Sequence, residues 1–143
     1  MRTSHSRLLA AALLALACTT SQAADLVVIV SAHSAVEALA PEQVAAIFLG
    51  QSARFPGGAI ATAVDQPLGS EERRQFYLRV AGKTPALLKA HWSKMVFTGR
   101  GQPPREASGD AGVRRLVAEN PAMIGYIGRD ALDASVRAVL VLP

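Results

Sequence analysis

The chain has 143 residues, half of them hydrophobic, with a net charge of +4 and a single cysteine. This length corresponds to one ordinary domain. One cysteine excludes a disulfide framework, and the histidines lie too far apart in sequence to suggest a metal site. Because Arg2 and Arg7 belong to an N-terminal leader, the remainder is only weakly basic, and nucleic acid is not an expected partner.

The first residues, 1–23, have the pattern of a secretory signal peptide. Two arginines flank a polar start and precede an apolar run, residues 8–17, which is too short to span a bilayer. Small residues follow at Ser21 and Ala23, the two positions that a signal peptidase reads. We therefore expect cleavage after Ala23.

Cys18 offers an alternative route of processing. The sequence that ends at Cys18 resembles a lipoprotein box, in which the cysteine becomes the lipidated N-terminus. Its order departs from that motif, with Ala15 where leucine is preferred and Leu16 where a small residue is preferred. No later segment is long and apolar enough to cross a membrane. We expect a periplasmic or secreted single domain over residues 24–143.

The first part of this domain alternates strand and helix patterns. Residues 26–30 are a continuous apolar run, typical of a strand covered on both faces. The segment 39–49 has helical spacing, with Pro41 suited to the first turn and Gly50 suited to the end. Residues 60–64 predict a second, short strand.

Two helices follow in the predicted order of elements. The first begins at Ser70, carries aromatic residues on one face and ends near Gly82. The second covers residues 85–95, with Leu87, Leu88, His91 and Trp92 on its packing face. We interpret His91 as a core histidine rather than as a ligand or a base.

The last part of the chain begins with residues 97–104, a predicted irregular loop rich in glycine and proline. Ser108 is expected to cap a helix that runs to about Asn120, and residues 123–127 and 136–142 predict two strands. Strand and helix thus alternate throughout. The pattern predicts an α/β domain with a central, mostly parallel or mixed sheet and helices on both faces.

Four stretches, taken together and in this order, resemble one known family. They are Ala46-Ile-Phe-Leu-Gly50, the Ser70 helix with Phe76, Phe97-Thr-Gly-Arg-Gly101 and Ala122-Met-Ile-Gly-Tyr-Ile127. The family is that of the periplasmic phosphate-binding proteins, the substrate-binding subunits of phosphate ABC importers. The resemblance implies a type II periplasmic-binding fold. Residues 24–143 resemble only the second of the family's two lobes, and a single lobe cannot close on a ligand by itself.

The resemblance also implies where a ligand would bind. In the family, an arginine follows a strand, and four residues later Ser-Gly-Thr opens a helix with a phenylalanine six residues after the serine. Ser70 and Phe76 match this frame, but Gln66 stands at the arginine position, and Glu71 and Glu72 stand at the Gly-Thr positions. The cation and one hydroxyl of the family's site are thus replaced.

Two interpretations of this helix start remain open. In the first, it is a weak oxyanion site formed by the residues around the helix N-terminus: Gln66, Gly69, Ser70, Glu71 and Arg73. Arg73 would then fold back to replace the missing arginine. In the second, which we favour, Ser70 only caps the helix, while Arg73 and Arg74 are solvated and pair with Glu71 or Glu72. The glutamates would satisfy the helix dipole and repel an anion.

The resemblance implies a periplasmic, substrate-binding-like protein of a phosphate ABC importer, with a phosphate-like oxyanion as ligand and an ABC permease as partner. No serine, histidine and aspartate set and no carboxylate pair has a spacing typical of catalysis, so we expect neither an enzyme nor a cofactor. The alternative is an envelope interaction or sensor-adaptor module that has lost solute binding. It would use the same edge for a partner protein or for a second copy in a homodimer.

We predict that the exported protein begins at Ala24, because the charged start, the apolar run and the small residues form one signal-peptide pattern. The intact mass of the protein recovered from the periplasm should be that of residues 24–143. A mass that corresponds to an acylated Cys18 as the first residue would show that processing follows the lipoprotein route instead.

Overall fold

The structure, a computed structural model, describes residues 25–143, so the predicted signal peptide and Cys18 lie outside the described residues. Within this range, no helix is long and apolar enough to cross a membrane. In chain order the elements are β1 (Leu26–Ser31), α1 (Pro41–Phe48), β2 (Thr62–Asp65), α2 (Glu71–Ala81), α3 (Pro85–Phe97), β3 (Arg105–Glu106), α4 (Asp110–Glu119), β4 (Met123–Gly128), a 3-10 turn (Arg129–Ala131) and β5 (Val136–Leu142).

The strands form one mixed sheet in the order β3-β2-β4-β1-β5. β2 runs parallel to β3 and to β4, whereas β1 is antiparallel to both β4 and β5. β1 therefore lies between the two strands that come last in the chain, and Leu26 is opposite both Gly128 and Leu142. The predicted mixed sheet is confirmed.

Helices cover both faces of the sheet. Val28 and Val30 of β1 pack in the cluster that contains the buried residues of α1, α2 and α3. Val27 and Ile29 point to the opposite face and pack with Val113 of α4. All six residues of β1 are buried, which confirms the prediction of a strand covered on both faces.

The structure differs from the sequence-based prediction around α3 and α4. Ser108 is not the cap of α4: Gly109 takes that position with a φ of 92°, and no side chain caps the helix. This φ lies in the region that favours glycine, so the chain enters the helix one residue later than predicted. α3 extends to Phe97, and Leu87, predicted on its packing face, is 53% exposed. β3 was not predicted, because two residues carry no detectable periodicity.

β4 and α4 approach each other closely at Gly125. A Cβ atom at this position would lie 2.5 Å from Val113 Cγ1 and 3.2 Å from Val117 Cγ2. Packed atoms do not approach so closely, so the absence of a side chain is what allows α4 to lie directly on the sheet.

Gly125→Ala should therefore destabilise the domain by about 1–3 kcal/mol, because the added methyl group overpacks the contact with α4. Gly57→Ala is the matched control, since a Cβ at position 57 meets no atom within 4 Å. Chemical denaturation measures both variants. Equal unfolding midpoints for the two would mean that α4 does not pack on β4 in the way described.

Candidate functional site

The candidate site lies where the loop after β2 enters α2. Gly69 has a φ of 84°, which favours glycine and turns the chain into the helix. The Ser70 hydroxyl accepts a hydrogen bond from the Arg73 backbone N–H at 3.3 Å, so the predicted helix cap is confirmed. The first two N–H groups of the helix, those of Glu71 and Glu72, have no partner within it. They form the positive end of the helix dipole.

The Glu71 carboxylate is neutralised by its own helix. It accepts two hydrogen bonds from the Arg74 guanidinium, at 2.6 and 2.8 Å, and one from the Gln75 amide at 2.9 Å. These bonds lower the pKa of Glu71 to about 2, and those from Arg74 contribute most. The expected pairing of Arg74 with Glu71 is confirmed, and Glu71 contributes little uncompensated charge to the helix start.

Arg73 is not a solvated helix charge, so that part of the prediction is wrong. Its side chain is only 12% exposed. Nη1 donates to the Gln66 carbonyl at 3.3 Å and to Glu106 Oε1 at 2.9 Å, and it lies 3.7 Å from Asp65 Oδ2. The reason is helical spacing, because Arg73 lies one turn before the buried Tyr77 and its guanidinium lies 5.9 Å from the centroid of that ring.

Glu106 of β3 supplies the carboxylate at this surface. The oxygen that accepts a hydrogen bond from Arg73 also accepts one from the backbone N–H of Leu68, at 2.6 Å. A guanidinium and a main-chain N–H are typical donors to bound oxyanions. A side chain of the domain itself therefore occupies donors that an external anion would use.

Gln66 lies beneath this surface rather than on it, with 1% of its area exposed. Its side-chain amide donates to Asp110 Oδ1 at 2.8 Å and to the Tyr126 carbonyl at 3.0 Å. The amide thus connects the end of β2 to β4 and to the first residue of α4. At the position of the family's arginine, this chain carries a buried, neutral side chain whose donors have partners inside the domain.

Asp65, the last residue of β2, is fully buried. Oδ1 accepts from the Tyr126 hydroxyl and, at 2.9 Å, from the Gln66 N–H, while Oδ2 accepts from the Tyr77 hydroxyl at 2.6 Å. Burial raises the pKa of Asp65, and these donors together with Arg73 oppose the rise. Burial and the Asp65 charge raise the pKa values of both tyrosines in turn. Such a ring of donors is what a buried carboxylate requires.

Aromatic packing holds the two tyrosine hydroxyls in position. Phe76 stacks on Tyr126 with ring centroids 3.7 Å apart, and Phe48 lies edge-on to Phe76 at 4.7 Å. Tyr77 is also edge-on to Phe76, at 5.1 Å. Because the rings come from α1, α2 and β4, the packing directs hydroxyls from two separate elements onto Asp65.

Four of the five predicted site residues surround the helix start: Gly69, Ser70, Glu71 and Arg73. Gln66 lies beneath it. The sequence patterns did not single out Asp65 or Glu106. The sequence does mark Asp65, because its carboxylate ends a largely apolar strand. Nothing in the sequence marks Glu106, because only the pairing of β3 with β2 brings it to the site. Within residues 25–143, no group of three or more His, Cys, Asp or Glu side chains is arranged to hold a metal ion.

Solved structures of transport proteins share this fold. A protein assigned as a phosphate ABC transporter substrate-binding protein from Clostridium perfringens, solved with bound phosphate, has a TM-score of 0.65 at 24% identity, over 81% of this chain and 45% of that one. An ABC-type phosphate transport receptor from Vibrio cholerae has a TM-score of 0.63 at 20% identity, over 81% of this chain and 46% of that one. PstS from Borrelia burgdorferi has a TM-score of 0.58 at 16% identity, over 81% of this chain and 47% of that one.

This chain spans about half the length of these solved proteins. The likeness confirms the predicted α/β fold, that of a single lobe of a periplasmic binding protein. No protein-family model and no curated protein matches the sequence.

Tyr126→Phe should destabilise the domain by about 1.5–3 kcal/mol, because the buried Asp65 carboxylate loses a charge-assisted hydrogen bond. In an Asp65→Asn background the same change should be less harmful, with a coupling energy of about 0.5–3 kcal/mol between the two sites. Urea denaturation of the wild type, both single variants and the double variant measures this coupling. Additive effects would indicate that the Tyr126 hydroxyl does not stabilise the domain through Asp65.

Proposed function

We propose that this domain, which shares the fold of phosphate ABC transporter substrate-binding proteins, is a periplasmic substrate-binding component for a small oxyanion of the phosphate class. The anion binds weakly at the start of α2, beside Leu68 and Arg73, and is passed to an ABC permease. The observation that carries the proposal is the position of Glu106, whose carboxylate rests on a main-chain N–H and a guanidinium as a bound anion would.

Three groups support anion binding at this place. The N–H groups of Glu71 and Glu72 lie at the positive end of the α2 dipole. Arg73 adds a guanidinium that is only 12% exposed, so water screens its charge less than that of a surface arginine. Because Arg74 neutralises Glu71, the carboxylate nearest the helix start does not repel an anion with its full charge.

The binding is weak, no tighter than about millimolar, which corresponds to about −4 kcal/mol. Glu106 competes for the same donors and, being tethered, acts at a high effective concentration. Gln66 supplies no cation, since its amide is neutral and buried. A single lobe also leaves one side of the anion facing water.

Glu106→Gln should raise the affinity for phosphate about tenfold, because a neutral amide competes less well than a carboxylate for Arg73. Glu119→Gln is the matched control: it makes the same charge change at an exposed position at the far end of α4 and should leave the affinity unchanged. Titration calorimetry with sodium phosphate at low salt on residues 24–143 measures all three proteins.

A triple variant, Gln66→Arg with Glu71→Gly and Glu72→Thr, restores the family's frame and should bind phosphate more tightly than the wild type. The Asp110 carboxylate, now 2.8 Å from the Gln66 amide, would pair with the new arginine. Micromolar binding by the wild type would contradict a weak site. Absence of phosphate binding by the wild type, by Glu106→Gln and by the triple variant would overturn the proposed ligand class.

A further inference from the structure

α3 has an apolar face that the described part of the chain does not cover. The helix has 13 residues, and only Leu88 and Trp92 among them are buried. Val96 is 45% exposed and Phe97 is 92% exposed. Scattered apolar residues are ordinary on protein surfaces, but here they adjoin one another at the end of one helix.

This face forms one wall of a groove of about 1090 Å³ between α2 and α3. Most of its α3 residues recur at helical spacing and so lie on one side of the helix: Pro85, Leu88, Lys89, Trp92, Ser93 and Val96, with Ala86 and Phe97 beside them. The N-cap Ser70 and the α2 residues Arg73, Arg74 and Tyr77 line it at the same helical spacing. Leu68, which is 79% exposed, adds apolar surface beside them. The groove is thus a trough between two helices that Pro103 and Pro104 also line, and it shares Arg73 and Glu106 with the candidate site.

The groove carries positive charge that the described residues do not balance. Its two α2 arginines are paired with glutamates. Lys83 and Lys89, which also line it, form no ion pair within residues 25–143. An apolar trough with free lysines at its margin is complementary to an apolar surface flanked by acidic residues.

We propose that this groove binds an acidic amphipathic helix of a partner protein. A helix laid between α2 and α3 places its apolar face against Trp92 and Phe97 and its acidic residues beside Lys83 and Lys89, in the helix-in-groove mode of recognition.

A second copy of the chain is a poorer occupant. In a symmetric dimer both protomers use the same surface patch, so Lys83 and Lys89 of both copies would lie in one interface. Like charges placed opposite one another suppress such pairing. The charge of the groove therefore favours a partner of different sequence.

Two synthetic peptides of about 18 residues, long enough to form a helix, test the proposal. They share one leucine face and differ only in its flanks, which carry glutamate in one peptide and lysine in the other. Residues 24–143 should bind the glutamate peptide about tenfold more tightly, as measured by fluorescence anisotropy at low salt. The double variant Lys83→Glu with Lys89→Glu should reverse this preference.

Phe97→Ser should weaken binding of the glutamate peptide about tenfold. Its matched control is Ile60→Ser, which removes an apolar side chain that is 59% exposed and lies outside the groove, and which should leave binding unchanged. Equal affinity for the two peptides, no binding of either, or equal effects of the two serine variants would overturn the proposal. So would a dimer in analytical ultracentrifugation that Phe97→Ser dissociates, or preferential binding to anionic lipid vesicles.

Discussion

A carboxylate taken out of water destabilises a fold unless hydrogen-bond donors surround it, and Asp65 imposes this requirement on the whole site. Its donors come from different elements: the Tyr77 hydroxyl from α2, the Tyr126 hydroxyl from β4 and the Gln66 N–H from the loop after β2. Satisfying one side chain therefore fixes a helix, a strand and a loop relative to one another. The rings that carry the two hydroxyls also belong to the core beneath the site. The packing of the core and the hydrogen bonds to Asp65 therefore require the same arrangement of these side chains.

The surface above Asp65 carries donors of the kind that bind oxyanions, and the domain itself satisfies them. Arg73 is mostly buried, and a cation in that position is destabilising without a partner. Glu106 provides the partner and also takes the Leu68 N–H. Under the proposed function, an external anion must displace this carboxylate, so its binding is coupled to the position of β3. In that proposal, the contacts that stabilise the ligand-free domain also limit the affinity for the anion.

Local sequence patterns were sufficient to predict most of the fold, because strand burial and helix caps depend on residues within a few positions of one another. Ser70 and its cap are of this kind. The partners of Arg73 and Asp65 are not: Glu106 lies 33 positions after Arg73, and Tyr126 lies 61 positions after Asp65. The resemblance to the phosphate-binding family predicts a site at the start of α2. Its chemistry depends on residues outside the family's frame, which only the strand order brings together.

The position of β1 has a consequence for how the domain folds. β1 is the first strand, yet its neighbours are β4 and β5, the last two, and Leu26 is paired with Leu142. The helices can begin to form from local contacts, but the centre of the sheet cannot close until β4 and β5 are available to pair with β1. Closure of a loop of that size is entropically slow. Late docking of the final strands is therefore the expected rate-limiting step of folding, and until it occurs the apolar residues of β1 are exposed to aggregation.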